Sequence, residues 1–478
     1  MLQDELLIKS VSRIRLRSER QQDMQKLVGT FVDVGILPQL DNFNNQIING
    51  RRGTGKTHIL RVLSSRLSEE KCNAVVYIDA RTLGSTSQFS DYDVPLKYRC
   101  FSLFKDILAE IQKGLCDYIV NEPIKEKEVN SQALFELSKV MIEPVERHVH
   151  NNIVFPDLHL SLKYLLEKFK VTLYILMDEW SSLPRDIQPY LAEFFKRSFF
   201  ANSQIVVKIA SLEYRSNFGI VQESRGILGF EIGSDISTAL DIDNYYVYDR
   251  NPQKITDAFA NMLYKHVRSE LPDQYMESHH KISSSSNFIS VIFTNKNILE
   301  ELVRASEGVA RDLINIFSIA FFDAGRRSRN NIDKKAILEA ARQWFEQDKS
   351  QNLDEKLQKI LEKIVGEVIG HRRARSFLLP RVLEKHDVIQ RLFDSRVLHL
   401  MQRGYADKDN PGVRYNIYTL DYGTYVDLIN TSKQPDLQLS LDFGEEFKLE
   451  NEYSEDRVVP FDDKRSIRKV ILTDSILK

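Results

Sequence analysis

The stretch Gln46-Ile47-Ile48-Asn49-Gly50-Arg51-Arg52-Gly53-Thr54-Gly55-Lys56-Thr57-His58-Ile59-Leu60 decides the reading of this chain. Its first four residues form a short apolar run that predicts a strand, and the apolar spacing after Thr57 predicts a helix. Between them stands G-x-x-x-x-G-K-[ST]. Glycines at 50, 53 and 55 let backbone N–H groups turn inward around phosphate oxygens, at a helix N-terminus whose dipole favours negative charge. Lys56 is the cation expected to reach the β and γ phosphates of a nucleotide, and the Thr57 hydroxyl is the expected ligand of a bridging Mg²⁺. Gly50, Arg51, Arg52, Gly53, Thr54, Gly55, Lys56, Thr57 and His58 are therefore the candidate nucleotide-binding residues.

A second run, Val171 to Met177, reads as a buried parallel strand and ends in Asp178-Glu179. Two acids at a strand end are unremarked by themselves. After an upstream phosphate loop, Asp178 is placed to hold the magnesium and Glu179 to polarise the attacking water as general base, which predicts hydrolysis as well as binding. Further apolar strands at Ala74–Ala80 and Gln204–Ser211, alternating with helical patterns, predict an α/β doubly wound parallel sheet. The long interval between Lys56 and Asp178 holds helical patterns over Tyr98–Tyr118 and Ser131–His148, which predict an insertion.

GRRGTGKT, YILMDEWSSLP, the strand ending in IAS and the later SEGVARDLINIF together resemble the AAA+ ATPases. Within them they are similar to the initiator branch typified by the origin-recognition-complex ATPases of archaea and eukaryotes. The resemblance implies a Mg-dependent ATPase. It places a sensor of the γ-phosphate on Ser211, with Glu213 competing, and a lid arginine on Arg311 within Gly308-Val309-Ala310-Arg311-Asp312. It also implies an arginine finger supplied by a neighbouring subunit, hence self-association. Arg225 is the favoured candidate, with Arg215 and Arg197 as alternatives, and an irregular stretch from about Asn217 to Asp241 surrounds it.

Beyond Asn251-Pro252 helical patterns at Ile255–Val267, Ile298–Ser306, Ala310–Phe322 and Asp333–Gln347 predict a helical lid, interrupted by an exposed loop at Ser283–Ser286. From about Asp354, helices lead to a turn at Asp407–Gly412 and an alternating strand Val413–Tyr418, the order of a winged helix. The expected organisation is a basic helical segment over 1–40, an ATPase core over 41–250, a lid over 251–350, a winged helix over 351–430 and an acidic tail over 431–478. Between Lys363 and Arg414 there are 11 Lys/Arg against 6 Asp/Glu. Arg372, Arg373, Arg375, Arg391, Arg396 and Arg414 are the candidate contacts to DNA phosphates. A solvated helical face or a protein-docking module fits that surplus as well.

Composition bounds the rest. The 478 residues carry 66 Lys+Arg and 68 Asp+Glu, which excludes a polycationic binder, yet the sum conceals a tail in which Asp436–Asp456 holds 8 acids and a single lysine. Cys72, Cys100 and Cys116 form neither a disulfide framework nor a zinc-ligand pattern, the N-terminus lacks the apolar core of a signal peptide, and no stretch of about 18 residues is apolar throughout. A cytoplasmic protein without membrane association is expected. Two functional readings remain open: an ATP-driven switch acting on DNA or a DNA-processing partner, and an ATPase that controls an effector protein, as in antiphage defence.

Overall fold

In the computed structural model, residues 2–15, 17–84, 87–121, 155–223, 226–407, 411–429 and 470–477 are described. They fall into two compact units, one of Ser18–Gly50 and Gly55–Ile242, the other of Met1–Arg17, Arg51–Thr54 and Asp243–Lys478.

The first unit is an α/β P-loop fold. Along the chain run β1 (Gln46–Asn49), α1 (Lys56–Leu67), β2 (Asn73–Asp79), α2 (Leu96–Asn121), α3 (Phe155–Phe169), β3 (Thr172–Asp178), α4 (Gln188–Phe195) and β4 (Ile205–Ser211). Three short strands follow, β5 (Gly219–Gln222), β6 (Gly226–Gly229) and β7 (Ser237–Asp241). The main sheet has the order β2-β3-β4-β1-β7, with every neighbouring pair parallel. Strands covered on both faces need apolar residues at nearly every position, and β3 supplies Leu173, Ile175, Leu176 and Met177, all fully buried. Helix α2 packs on this sheet through Leu103, Ile107 and Ile111, which share one face at helical spacing. The register sets Asp79 opposite Asp178 and Asn49 opposite Ser211, so polar residues collect at the carboxyl ends of the strands, where ligands bind in open α/β sheets.

Lys208 lies in the centre of this sheet and is fully buried. Its ammonium is kept there by oxygens that replace water, with Nζ donating to the Asn42 carbonyl and side chain at 3.1 Å each, to the Asn44 carbonyl at 2.8 Å and to Gln46 Oε1.

One expectation is corrected here. The segment Asn217–Asp241 is not irregular, since β5 and β6 pair as an antiparallel hairpin and β7 joins the main sheet beside β1. Four- and five-residue strands punctuated by glycine carry too little periodicity to be recognised locally. The helical pattern Tyr98–Tyr118 lies inside α2, whereas Ser131–His148 falls outside the described residues.

The second unit contains α5 (Pro252–Arg268), α6 (Ser285–Ile292), α7 (Lys296–Ala305), α8 (Ala310–Arg326), α9 (Lys334–Trp344), α10 (Glu355–Val365), β8 (Ser376–Pro380), α11 (Asp387–Asp394), β9 (Leu398–Ala406) and β10 (Arg414–Leu420). Helix starts follow capping chemistry: Asn251 accepts from the Lys254 N–H at 3.1 Å ahead of Pro252, and Asp333 and Asp354 accept from Ala336 and Leu357 at 2.9 Å. The same chemistry overturns the loop expected at Ser283–Ser286, because Ser284 caps α6 by accepting from the Asn287 N–H, and Ser285 and Ser286 lie in its first turn. Strands β8, β10 and β9 form an antiparallel sheet in that order, and only β10 was foreseen. Phe377, Leu398, Ile417 and Tyr418 are fully buried in it. Among the described residues no helix is long and apolar enough to cross a membrane.

Candidate functional site

In the first unit, Lys56 opens α1 directly after Gly55, whose φ of 98° is left-handed and suits glycine. Lys56 Nζ donates to the Gly50 carbonyl at 2.7 Å, back across the loop that bears it. Thr57 follows on the first helical turn. His58 turns away: its ring reaches the Leu27 carbonyl at 2.7 Å and meets Phe31 edge-on, which makes it a packing residue of this unit.

Asp178 closes β3 and is 1% exposed. Its carboxylate is fixed on both oxygens, with Tyr77 donating from β2 at 2.7 Å and the Glu179 N–H at 2.9 Å. Burial, together with the adjacent Asp178 charge, pushes the Tyr77 phenol far above its usual range, so it remains a donor. Glu179 has φ 56° and ψ 36°, a conformation few non-glycine residues adopt, and this turn carries its side chain off the strand direction. Ser211, at the tip of β4, donates to Asn49 Oδ1 at 2.6 Å. Arg81 is gripped by Asp79 at 2.6 Å and Glu19 at 3.0 Å, and these acids, with a smaller contribution from the charge of Glu179, hold its guanidinium protonated.

Tyr77, Asn49 and Arg81 were not foreseen. Asn49 had a readable signal as the polar residue that ends an apolar strand just before the glycine loop, whereas Tyr77 and Arg81 acquire their roles from the pairing of β2 with β3.

In the second unit, the loop residues Arg51–Thr54 meet the start of α8. The Arg311 N–H donates to the Gly53 carbonyl at 3.1 Å, and a Cβ on Gly53 would stand 2.9 Å from Arg311 Cβ and 3.2 Å from Val309 Cγ1. Glycine at 53 is thus required by close approach as well as by its φ of 86°. Thr54 closes the turn by donating to the Arg51 carbonyl at 2.9 Å. Arg52 is exposed.

Arg51 departs from the expectation that it binds nucleotide. Only 5% exposed, it donates from both its backbone N–H and Nε to Asp243 Oδ2, each at 3.0 Å, from Nη2 to the Glu307 carbonyl at 3.1 Å, and from Nη1 to His399 Nδ1. These bonds turn its side chain into the protein.

The candidate DNA contacts divide. Arg372, Arg373, Arg391 and Arg414 are exposed, and Arg391 pairs with Asp354 at 2.5 Å. Arg375 and Arg396 are buried and committed to carboxylates, Arg375 to Asp249 at 2.5 Å and Arg396 to Asp312 and Asp348, so neither presents a charge to a phosphate backbone. Burial of an ion is tolerated only with such partners, and a local count of charges does not see them. Arg225 lies outside the described residues.

Glu307 sits 3.8 Å from Arg375, but burial beside Asp249 and Asp421 dominates and pushes its carboxyl up to about 8. Folding then takes up a proton at Glu307 between about pH 4.5 and pH 8, so its contribution to stability is full at the acidic end and is lost as pH rises through 8. Glu307→Gln, which imitates the neutral acid, is expected to flatten that part of the pH dependence. Thermal unfolding of both proteins at pH 5 and pH 8 checks this.

Residues 16–74 match the family model described as ORC-CDC6-like. No curated protein matches the chain. Similar solved structures include Cdc6p from Pyrobaculum aerophilum, at 12% identity with 88% of this chain and 96% of that one covered and a TM-score of 0.36. The Aeropyrum pernix ORC2 protein in its ADPNP-ADP complexes follows at 12% identity, 82% and 92% coverage and a TM-score of 0.35. A Thermotoga maritima RuvB variant has 11% identity, 83% and 90% coverage and a TM-score of 0.34. Residues 16–74, the segment that carries the glycine loop, are thus similar to the ORC-CDC6-like family.

Proposed function

We propose that this protein binds ATP with Mg²⁺, hydrolyses it, and uses the cycle as a switch acting on DNA or on a protein that processes DNA. The observation that carries the reading is the Asp178–Glu179 turn at the end of β3, in which a buried carboxylate is pinned by Tyr77 and by the Glu179 N–H, within the unit that holds Lys56 and Thr57. Thr57 and Asp178 supply the hard oxygen donors that Mg²⁺ prefers, and the bound ion would neutralise charge on the phosphates. Glu179 is the general base, Ser211 the sensor of the terminal phosphate, and Arg311 the lid residue that answers to it. Arg225 of a neighbouring copy is the finger, which requires self-association.

In the same reading the boundaries lie near 41–250 for the ATPase core, 251–350 for the lid, 351–430 for a winged helix built on α10, α11 and the β8-β10-β9 sheet, and 431–478 for the acidic tail. The protein works in the cytoplasm. Arg372, Arg373, Arg391 and Arg414 are its remaining DNA contacts.

The test is ATPase rate over a range of protein concentrations, with and without duplex DNA at low salt. A rate that rises steeply with concentration and rises again with DNA is expected, and Lys56→Ala should abolish nucleotide binding. A rate indifferent to any DNA, with no DNA retained, overturns the DNA part. One observation favours the second reading, an ATPase that governs an effector protein: withdrawing Arg375 and Arg396 into ion pairs shrinks the basic footprint of the C-terminal sheet and helices. Co-purification of an effector whose retention depends on ATP would select it.

A further inference from the structure

Eight side chains of the second unit, all buried except the half-exposed Asp348 at the end, form a continuous chain of charge that the nucleotide reading does not use. It begins at the loop with Asp243–Arg51 at 3.0 Å, passes from Arg51 to His399 on β9, and from His399 Nε2 to Asp421 Oδ2 at 3.0 Å. Asp421 pairs with Lys349 at 2.5 Å, Lys349 with Asp312 at 3.0 Å, and Asp312 with Arg396, which also holds Asp348. Asp312 is the residue after Arg311. The chain thus leaves the glycine loop at Arg51, crosses the C-terminal sheet and returns to the helix that meets the loop at Gly53.

Chemistry fixes the state of the central imidazole. A guanidinium has donors only, so His399 Nδ1 must accept from Arg51, and Nε2 carries the proton it donates to Asp421. Burial makes each link costly to leave unmade: His399 is 2% exposed and Asp421 1%. The Arg51 backbone N–H and Nε are both tied to Asp243, which couples the position of its guanidinium to the backbone of the loop.

We propose that His399 is a positioning residue for ATP binding: strand β9 of the C-terminal sheet, through the Nδ1 lone pair of His399, holds Arg51 and with it the glycine loop in the phosphate-accepting conformation. The proposal rests on the nucleotide reading given above. It makes the C-terminal sheet part of what determines ATP affinity, while leaving the hydrolytic step to Glu179.

Two near-isosteric substitutions in the full-length protein separate the links. Asn places its amide oxygen where Nδ1 stands, and Gln places its amide group where Nε2 stands. His399→Asn therefore keeps the acceptor for Arg51 and gives up Asp421, and His399→Gln does the reverse. With ATPase kinetics measured on variants that retain the parental cooperative melt, His399→Gln is expected to raise KM for ATP by about ten-fold with kcat within about two-fold, and His399→Asn to stay near the parent. Arg51→Gln, which also gives up the side-chain bonds to Asp243 and Glu307, should raise KM at least as much from the loop side, and combining it with His399→Gln should add little, since the link to His399 is already lost. Equal KM values for the Asn and Gln variants, or an unchanged KM in Arg51→Gln, overturn the proposal. If the parent itself binds no ATP, it is the nucleotide reading that fails; a parent that binds ATP beside variants with the parental KM condemns this inference alone.

Discussion

Replacing Glu179 by Gln is expected to leave ATP bound and to slow its hydrolysis by about 100- to 10,000-fold, the range over which a positioned general base contributes. Gln keeps the size and the left-handed backbone turn of Glu179 but cannot take a proton from water. Asp178 is untouched by the change, with its carboxylate still fixed by Tyr77 and by the backbone N–H of residue 179. Nucleotide affinity should therefore stay near the parental value, in contrast with Lys56→Ala. Equilibrium binding of a fluorescent ATP analogue, set beside single-turnover hydrolysis, distinguishes these outcomes, and parental turnover in Glu179→Gln would remove Glu179 from the chemistry.

The second large effect concerns stability. Asp312 is fully buried, accepts a hydrogen bond from Arg396 and forms an ion pair with Lys349 at 3.0 Å. Asp312→Ala removes two charge-assisted contacts and leaves two cations under-compensated in a low-dielectric interior, a change that typically costs about 3–5 kcal/mol. Folded domains are stable by only about 5–15 kcal/mol, so this one carboxylate accounts for a large share of the total. Chemical denaturation followed by circular dichroism should show a clear drop in midpoint. Glu355→Ala, which opens a solvent-exposed pair with Lys359, should leave the midpoint where it was.

Much of the first unit was legible locally. The glycine loop, the acid pair after β3 and the long apolar strands each place chemistry and conformation in a few consecutive residues, and β1 to β4 fall where those patterns lie. Strand order was not legible, because β1 lies between β4 and β7 through contacts with no local signature. The short strands β5, β6 and β7 were missed for want of periodicity, and β8 and β9 were hidden by arginines whose burial depends on partners remote in the chain. Arg375 and Arg396 show the limit most clearly: their charge was visible, but Asp249 and Asp312, which neutralise it, are far away in sequence. Within the candidate site, the positions of Lys56, Thr57, Asp178 and Glu179 on their loop, helix and strand end follow from motif, while the contacts of Tyr77 and Asn49 depend on strand register.

The turn that carries Glu179 has an optical consequence. Trp180 follows it directly, is fully buried and stacks on Phe218 at 5.4 Å, and the chain has only one other tryptophan, Trp344, on α9. With Trp344 changed to Phe, all indole emission arises one residue from Glu179. The protein then carries its own fluorophore beside this left-handed turn, and stopped-flow emission on mixing with ATP can follow it without any attached label.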